Sequence, residues 1–129
     1  MGGVSSLAKI LIVEDQSMLQ SLYRALLTPQ GFEIEIASNY QEGLQKTESF
    51  KPDLMVMDVN LPDGFGLDLC QFVKKTYPGV LVVIVSALGG SVDMAAGLKM
   101  GADDYISKPY NVREFISRVK ALLRSVGKI

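Results

Sequence analysis

Five residues with chemistry in their side chains stand at the ends of apolar runs. Glu14 and Asp15 follow Ile10-Leu11-Ile12-Val13, and Asp58 follows Leu54-Met55-Val56-Met57. Ser86 ends the run Val80 to Val85, and Lys108, ahead of Pro109, comes just after a short segment around Tyr105-Ile106. Three carboxylates brought close together repel one another unless a cation sits among them. Magnesium takes oxygen ligands in octahedral geometry, usually one or two carboxylates with waters and phosphate oxygens. Asp15 and Asp58 suit direct ligation, and Glu14, one methylene longer, suits ligation through water. The backbone carbonyl of Asn60 completes the shell, with Mn2+ as the substitute ion for Mg2+. Phosphoryl transfer asks mainly for positioning and for neutralised equatorial oxygens. An aspartate acting as nucleophile yields an acyl phosphate, and Asp58 is the best placed, on a central strand before a tight turn. Lys108 would meet a phosphate oxygen as a point charge, the Ser86 hydroxyl would donate to another, and the small Ala87 leaves room. The Lys108-Pro109 bond is a cis candidate, which would aim the lysine.

Each residue alone has a plainer reading. Strand-ending acids are often solvated or cap a helix, as Asp15 could for the first helix. Ser86 could bond locally, Lys108 could be a surface lysine, and Tyr105 reads as a core aromatic. It is their coincidence at one edge that favours chemistry, so the elements that position them matter.

Apolar runs alternate with amphipathic segments along the chain. Lys9 to Val13 reads as a central parallel strand buried on both faces. Leu19, Leu22, Tyr23 and Leu26 recur at helical spacing until Pro29 and Gly31. Glu33 to Ala37 alternates as an edge strand would. Asn39 with Glu42 predicts a cap for a second helix over about 40–48. Leu54 to Met57 is a third strand, and Leu61-Pro62-Asp63-Gly64 is turn chemistry. A third helix over about 66–76 shows Leu69, Cys70, Val73 and Tyr77 on one face, ended by Pro78-Gly79. After the fourth strand, Gly89-Gly90 opens a fourth helix that runs to about Met100, with Gly101 as its stop. Asp104 to Ser107 is a short fifth strand. Asn111 with Glu114 caps a fifth helix with Val112, Phe115, Ile116, Val119 and Leu123 on its face. This is the alternation of an α/β fold, a five-stranded parallel sheet covered on both faces. Ligands of such sheets bind beyond the carboxyl ends of the strands, where Glu14, Asp15, Asp58, Ser86 and Lys108 all fall.

With 129 residues the chain fits one domain, large enough to bury a core without staples. We divide it into a flexible leader (1–7), the domain (8–126) and a short tail (127–129). A net charge of -1 argues against direct nucleic-acid binding. No apolar run is long enough to span a membrane. The single Cys70 reads as a buried small hydrophobe in a reducing, cytoplasmic setting. Met1-Gly2 with Ser6 matches a loose myristoylation pattern, read here as part of the leader. Histidine is absent, so neither imidazole catalysis nor a phosphohistidine is available to this chain.

The segments Lys9 to Asp15 (KILIVED), Asp53 to Gly66 (DLMVMDVNLPDGFG), Val83 to Ala87 (VIVSA) and Gly101 to Pro109 (GADDYISKP) together carry a resemblance. The chain resembles the response regulator receiver domain of two-component signalling, the chemotaxis-regulator-like superfamily, over roughly residues 8–126. The resemblance implies a flavodoxin-like three-layer sandwich of five βα units with strand order 2-1-3-4-5. It implies that Asp58 is the phosphoacceptor and that Glu14 and Asp15, with Asp58 and the Asn60 carbonyl, bind magnesium. Ser86 and Lys108 would contact the phosphoryl group, and Ser86 and Tyr105 would form the switch. The donor would be the phosphohistidine of a sensor histidine kinase or a histidine phosphotransfer protein. The switched surface would be the fourth helix, fifth strand and fifth helix. It would engage a downstream effector domain or protein, or a second copy through a bridge such as Asp104 to Arg118. Met94 stands where a basic partner for Glu114 would be expected. Such a module assists its own phosphorylation and dephosphorylation, and binding is its output. It is either a stand-alone receiver or a piece of a longer regulator. Two other readings compete with this one. A magnesium-dependent phosphohydrolase with an aspartyl-phosphate intermediate usually wants a second acid where Asn60 stands. A flavin carrier needs a phosphate loop where Glu14-Asp15 would repel phosphate.

Overall fold

Five short strands form one sheet in the order β2-β1-β3-β4-β5, every neighbouring pair parallel. They are β1 (Lys9–Val13), β2 (Glu33–Ala37), β3 (Leu54–Asp58), β4 (Leu81–Ser86) and β5 (Asp104–Ser107). Between them run α1 (Ser17–Leu27), α2 (Tyr40–Phe50), α3 (Gly66–Thr76) and α4 (Ser91–Lys99), and α5 (Val112–Ser125) follows β5. A small hairpin pairing Asn60–Leu61 with Gly64–Phe65 lies between β3 and α3. The computed structural model describes residues 7–87 and 91–129, and of 91–93 the backbone only. The leader up to residue 6, with the Met1-Gly2 pattern, and Gly89-Gly90 therefore lie outside the described residues.

The alternation of side chains along each strand splits the core in two. One face of the sheet sends Ile10, Ile12, Leu54, Val56, Val83, Val85 and Ile106 against Tyr23 and Leu27 of α1 and Phe115, Val119 and Leu123 of α5. The other sends Leu11, Val13, Met55, Met57, Val82 and Ile84 against Leu69, Cys70 and Val73 of α3, with Leu44 of α2 and Ala96 of α4 packed beside them. Each fully buried aliphatic side chain contributes roughly 1.5–3 kcal/mol. This double coverage is why the central strands are unbroken apolar runs.

The caps form where the sequence places them. Asn39 Oδ1 accepts from the Glu42 N–H at 2.8 Å, and Asn111 Oδ1 accepts from the Glu114 N–H at 3.1 Å. Several expectations need correction. The second helix runs on to Phe50, and the fourth strand starts at Leu81 and takes in Ser86. Asp15 does not cap α1, whose N-cap is Gln16 with no side-chain bond. Leu22 and Val112 are exposed: Leu22 lies to one side of the face that Tyr23 and Leu27 bury, and Val112 is the first residue of α5, a turn ahead of its first buried residue, Phe115. Tyr77 lies just beyond α3, where the backbone has left the helix, and is only half-buried. Lys128, in the short tail, folds back: its N–H reaches the Leu123 carbonyl and its ammonium lies 3.4 Å from Asp53. Among the described residues no helix is long and apolar enough to cross a membrane.

Candidate functional site at the carboxyl edge of the sheet

The register of the parallel strands decides what meets at the edge. β1 and β3 pair through Val13 and Met57, so Glu14 and Asp58 leave the sheet side by side. Asp58 pairs with Val85 of β4, and Ser86 with Ser107 of β5, which brings Ser86 and Lys108 to the same rim. The Lys108 N–H donates to the Ser86 carbonyl at 2.8 Å. The Lys108-Pro109 peptide bond is cis. From there the Lys108 ammonium reaches Asp58 Oδ2 at 3.4 Å and Glu14 Oε1 at 4.0 Å. Asp58 Oδ1 accepts from the Asn60 N–H at 3.0 Å. Ser86 is buried at 1% exposure, whereas Asp15, Asn60 and Ala87 are exposed.

Glu14 is held more tightly than a surface acid. It is 1% exposed, its Oε2 accepts from the Gln16 N–H at 3.0 Å, and its carbonyl accepts from the Gln20 side-chain amide at 2.6 Å. Burial pushes its carboxyl up from 4.5 to about 7; the Asp58 charge and the Asp15 carboxyl push the same way, while the Gln16 amide and the Lys108 ammonium pull it down. The native protein therefore keeps a proton between about pH 4.5 and 7 that the unfolded chain has released. Stability from this group is full below pH 4.5, falls as pH rises toward 7, and stays lost above it. Glu14→Gln is expected to remove that slope. Without metal at pH 8, the variant should be about 2–3 kcal/mol more stable than wild type. Denaturant titrations of both proteins between pH 4 and 8 check this, and parallel curves would contradict it.

No group of three acidic, cysteine or histidine side chains among the described residues is close enough to hold an ion by itself. Lys108 instead bridges Asp58 and Glu14. The donor set still fits magnesium, which needs only one or two carboxylates if waters and a carbonyl supply the rest. A carboxyl raised chiefly by burial, with its acidic neighbours pushing the same way, is a group that a cation at this edge would relieve.

The remaining candidates lie around the edge. Tyr105 is turned inward at 2% exposure, its ring so close to α4 that a Cβ on Gly97 would lie 2.8 Å from it. Arg118 reaches Asp104 Oδ1 at 3.3 Å and Glu114 Oε1 at 2.7 Å, both within the same chain. Cys70 is buried and its thiol pushed up to about 11 by burial, so it is inert packing.

Two features escaped the sequence reading. Gly66, the first residue of α3, packs against the loop after Asp58: a Cβ there would stand 2.1 Å from the Asp58 carbonyl oxygen. Asp63, read as a turn residue, bonds to the start of α2. The glycine was visible in its motif, but only the three-dimensional packing reveals its neighbour.

Comparison with known proteins agrees with this fold. The family model of the response regulator receiver domain matches residues 10–120. A probable transcriptional regulatory protein of Picosynechococcus sp. is 37% identical, over 94% of this chain and 51% of its own length, so the chain spans about half of that curated relative. The solved response regulator receiver domain protein (CheY-like) of Methanospirillum hungatei is 34% identical, with a TM-score of 0.88 over 93% of this chain and 96% of that one. The BeF3-activated receiver domain of DrrB is 28% identical, with a TM-score of 0.85 over 92% and 99%. A match over most of the chain, on the same five-stranded parallel sheet, leaves no other family to consider: the chain belongs to the response regulator receiver domains of two-component signalling.

Proposed function

We propose that this domain takes a phosphoryl group onto Asp58 from the phosphohistidine of a sensor histidine kinase or histidine phosphotransfer protein. The observation that carries the reading is the placement of Lys108 within 3.4 Å of Asp58, beside the buried Glu14, at the end of a central strand. An Asp58 carboxylate oxygen attacks phosphorus, the bond from phosphorus to the partner's imidazole nitrogen breaks, and the imidazole keeps the electron pair. Glu14, Asp15, Asp58 and the Asn60 carbonyl would hold Mg2+, which neutralises phosphoryl charge when bound. Lys108 pairs with one phosphoryl oxygen and the Ser86 hydroxyl donates to another. The neutral Asn60 stands two residues past the acceptor, where a phosphohydrolase would want its second acid, which favours the signalling reading.

The phosphoryl group brings close to two negative charges and strong acceptor oxygens. Bonding to it draws on Lys108 and Ser86, and so biases the packing of Tyr105 between two existing arrangements. The inward ring seen here belongs to one of them. The output surface is that of α4, β5 and α5, where a groove of about 290 Å3 is lined by Met94, Tyr105, Tyr110 and Arg118. It would receive an effector domain or protein, or a second copy of the domain. In the second case Asp104 and Arg118 would exchange their intrachain pair for one across the dimer.

Intact-mass spectrometry after treatment with a small phosphodonor and Mg2+ should find one added phosphoryl group, mapped to Asp58. An adduct mapped elsewhere would refute the assignment. Lys108→Ala should still be labelled, about tenfold more slowly, without the gain in partner affinity. A labelled variant that binds its partner as wild type does would refute a coupling role for the lysine.

A further inference from the structure

The loop after Asp58 is fastened on two sides. On the inner side the Gly66 N–H donates to the Val59 carbonyl at 2.6 Å. On the outer side Asp63, at the hairpin tip, reaches another element. Its Oδ1 accepts from the Tyr40 N–H at 2.6 Å and its Oδ2 from the Gln41 N–H at 3.1 Å. Those are the first two residues of α2. The Tyr40 ring also lies against Gly64, where a Cβ would stand 2.6 Å from Cδ2, so any larger residue there would have to push the ring aside. The helix has a cap of its own in Asn39.

We propose that Asp63 is a positioning residue for phosphoryl transfer: it ties the hairpin tip to α2 and thereby holds the Asn60 backbone against Asp58. The inference rests on the function proposed above. Asn60 opens the hairpin, pairs with Phe65, and bonds Asp58 Oδ1 through its N–H. A ladder of two residues on each arm is too short to hold itself in water. Two charge-assisted bonds to the positive end of a helix supply the missing anchor. Asp63 touches none of the reacting groups. Losing it should loosen the Asn60 carbonyl as a ligand while leaving Asp58 and Lys108 intact.

The test compares wild type, Asp63→Ala, Asp63→Asn and Asn39→Ala. Magnesium affinity is read by titration calorimetry, and labelling rates with a small phosphodonor at low and at saturating Mg2+. Asp63→Ala should weaken magnesium binding about tenfold and slow labelling at low Mg2+, with most of the rate restored at saturation. Asp63→Asn, which keeps an acceptor oxygen, should fall between. Asn39→Ala removes the other cap of the same helix, so it should lower the melting temperature comparably while changing magnesium affinity by less than about twofold. Wild-type affinity in Asp63→Ala, or equal weakening in Asn39→Ala, would overturn the positioning role. A wild-type protein that binds magnesium normally yet is not labelled at Asp58 would overturn the underlying function instead, and this inference with it.

Discussion

Asp58→Asn is expected to stay folded and to lose covalent phosphorylation by at least about a thousandfold. The amide is nearly isosteric and can still accept from the Asn60 N–H, so the hairpin keeps its seat. What disappears is the nucleophilic, anionic oxygen. Two electrostatic changes oppose each other. Lys108 loses its 3.4 Å partner, but Glu14 also loses a repelling neighbour and ionises more readily beside the same ammonium. Stability should therefore move by no more than about 1 kcal/mol, which thermal melts can verify before any labelling is attempted. Beryllium fluoride with Mg2+ should raise the melting temperature of wild type and leave that of the variant unchanged. Full labelling of Asp58→Asn would place the acceptor elsewhere and end the mechanism proposed here.

The second large effect concerns a residue with no chemistry of its own. In Gly66→Ala the new Cβ would lie 2.1 Å from the Asp58 carbonyl oxygen and 3.0 Å from the Val59 Cα. Both are backbone atoms, so no rotamer relieves the overlap, and the loop from Asp58 to Val59 must shift. Overpacking of this kind costs roughly 2–3 kcal/mol, enough to lower the melting temperature by about 10 °C in a domain of this size. The shift would also break the 2.6 Å bond from the Gly66 N–H to the Val59 carbonyl and displace Asn60 from Asp58. Labelling of the folded fraction should fall at least about tenfold, since small misplacements cost rate steeply. Gly79→Ala is the control: nothing stands within 4 Å of its Cβ, and it should be near neutral in both measurements. Wild-type labelling in Gly66→Ala would mean that the loop tolerates movement, and that close backbone contact is not what places the acceptor.

Much of this molecule was legible in its chain, for a local reason. Apolar runs of four to six residues broken by caps, glycines and prolines specify strands and helices within a few neighbours' reach. The capping bonds of Asn39 and Asn111 are of that kind. The parallel arrangement follows from their alternation, and the carboxyl edge follows from the parallel arrangement. Even so, Leu22 and Val112 fit a helical stripe and are exposed, because periodicity marks a face without saying how wide or how long its covered part is.

The chain by itself therefore determined the order of elements, the fold class and the edge where Glu14, Asp15, Asp58, Ser86 and Lys108 collect. Tertiary structure alone decided that Lys108 spans Asp58 and Glu14, that Tyr105 lies inward on Gly97, that Arg118 reaches Asp104 of its own chain, and that Asp63 grips α2. Each of these contacts joins separate elements of the fold. Its energy depends on a few tenths of an ångström of packing, which residue types and spacing do not encode.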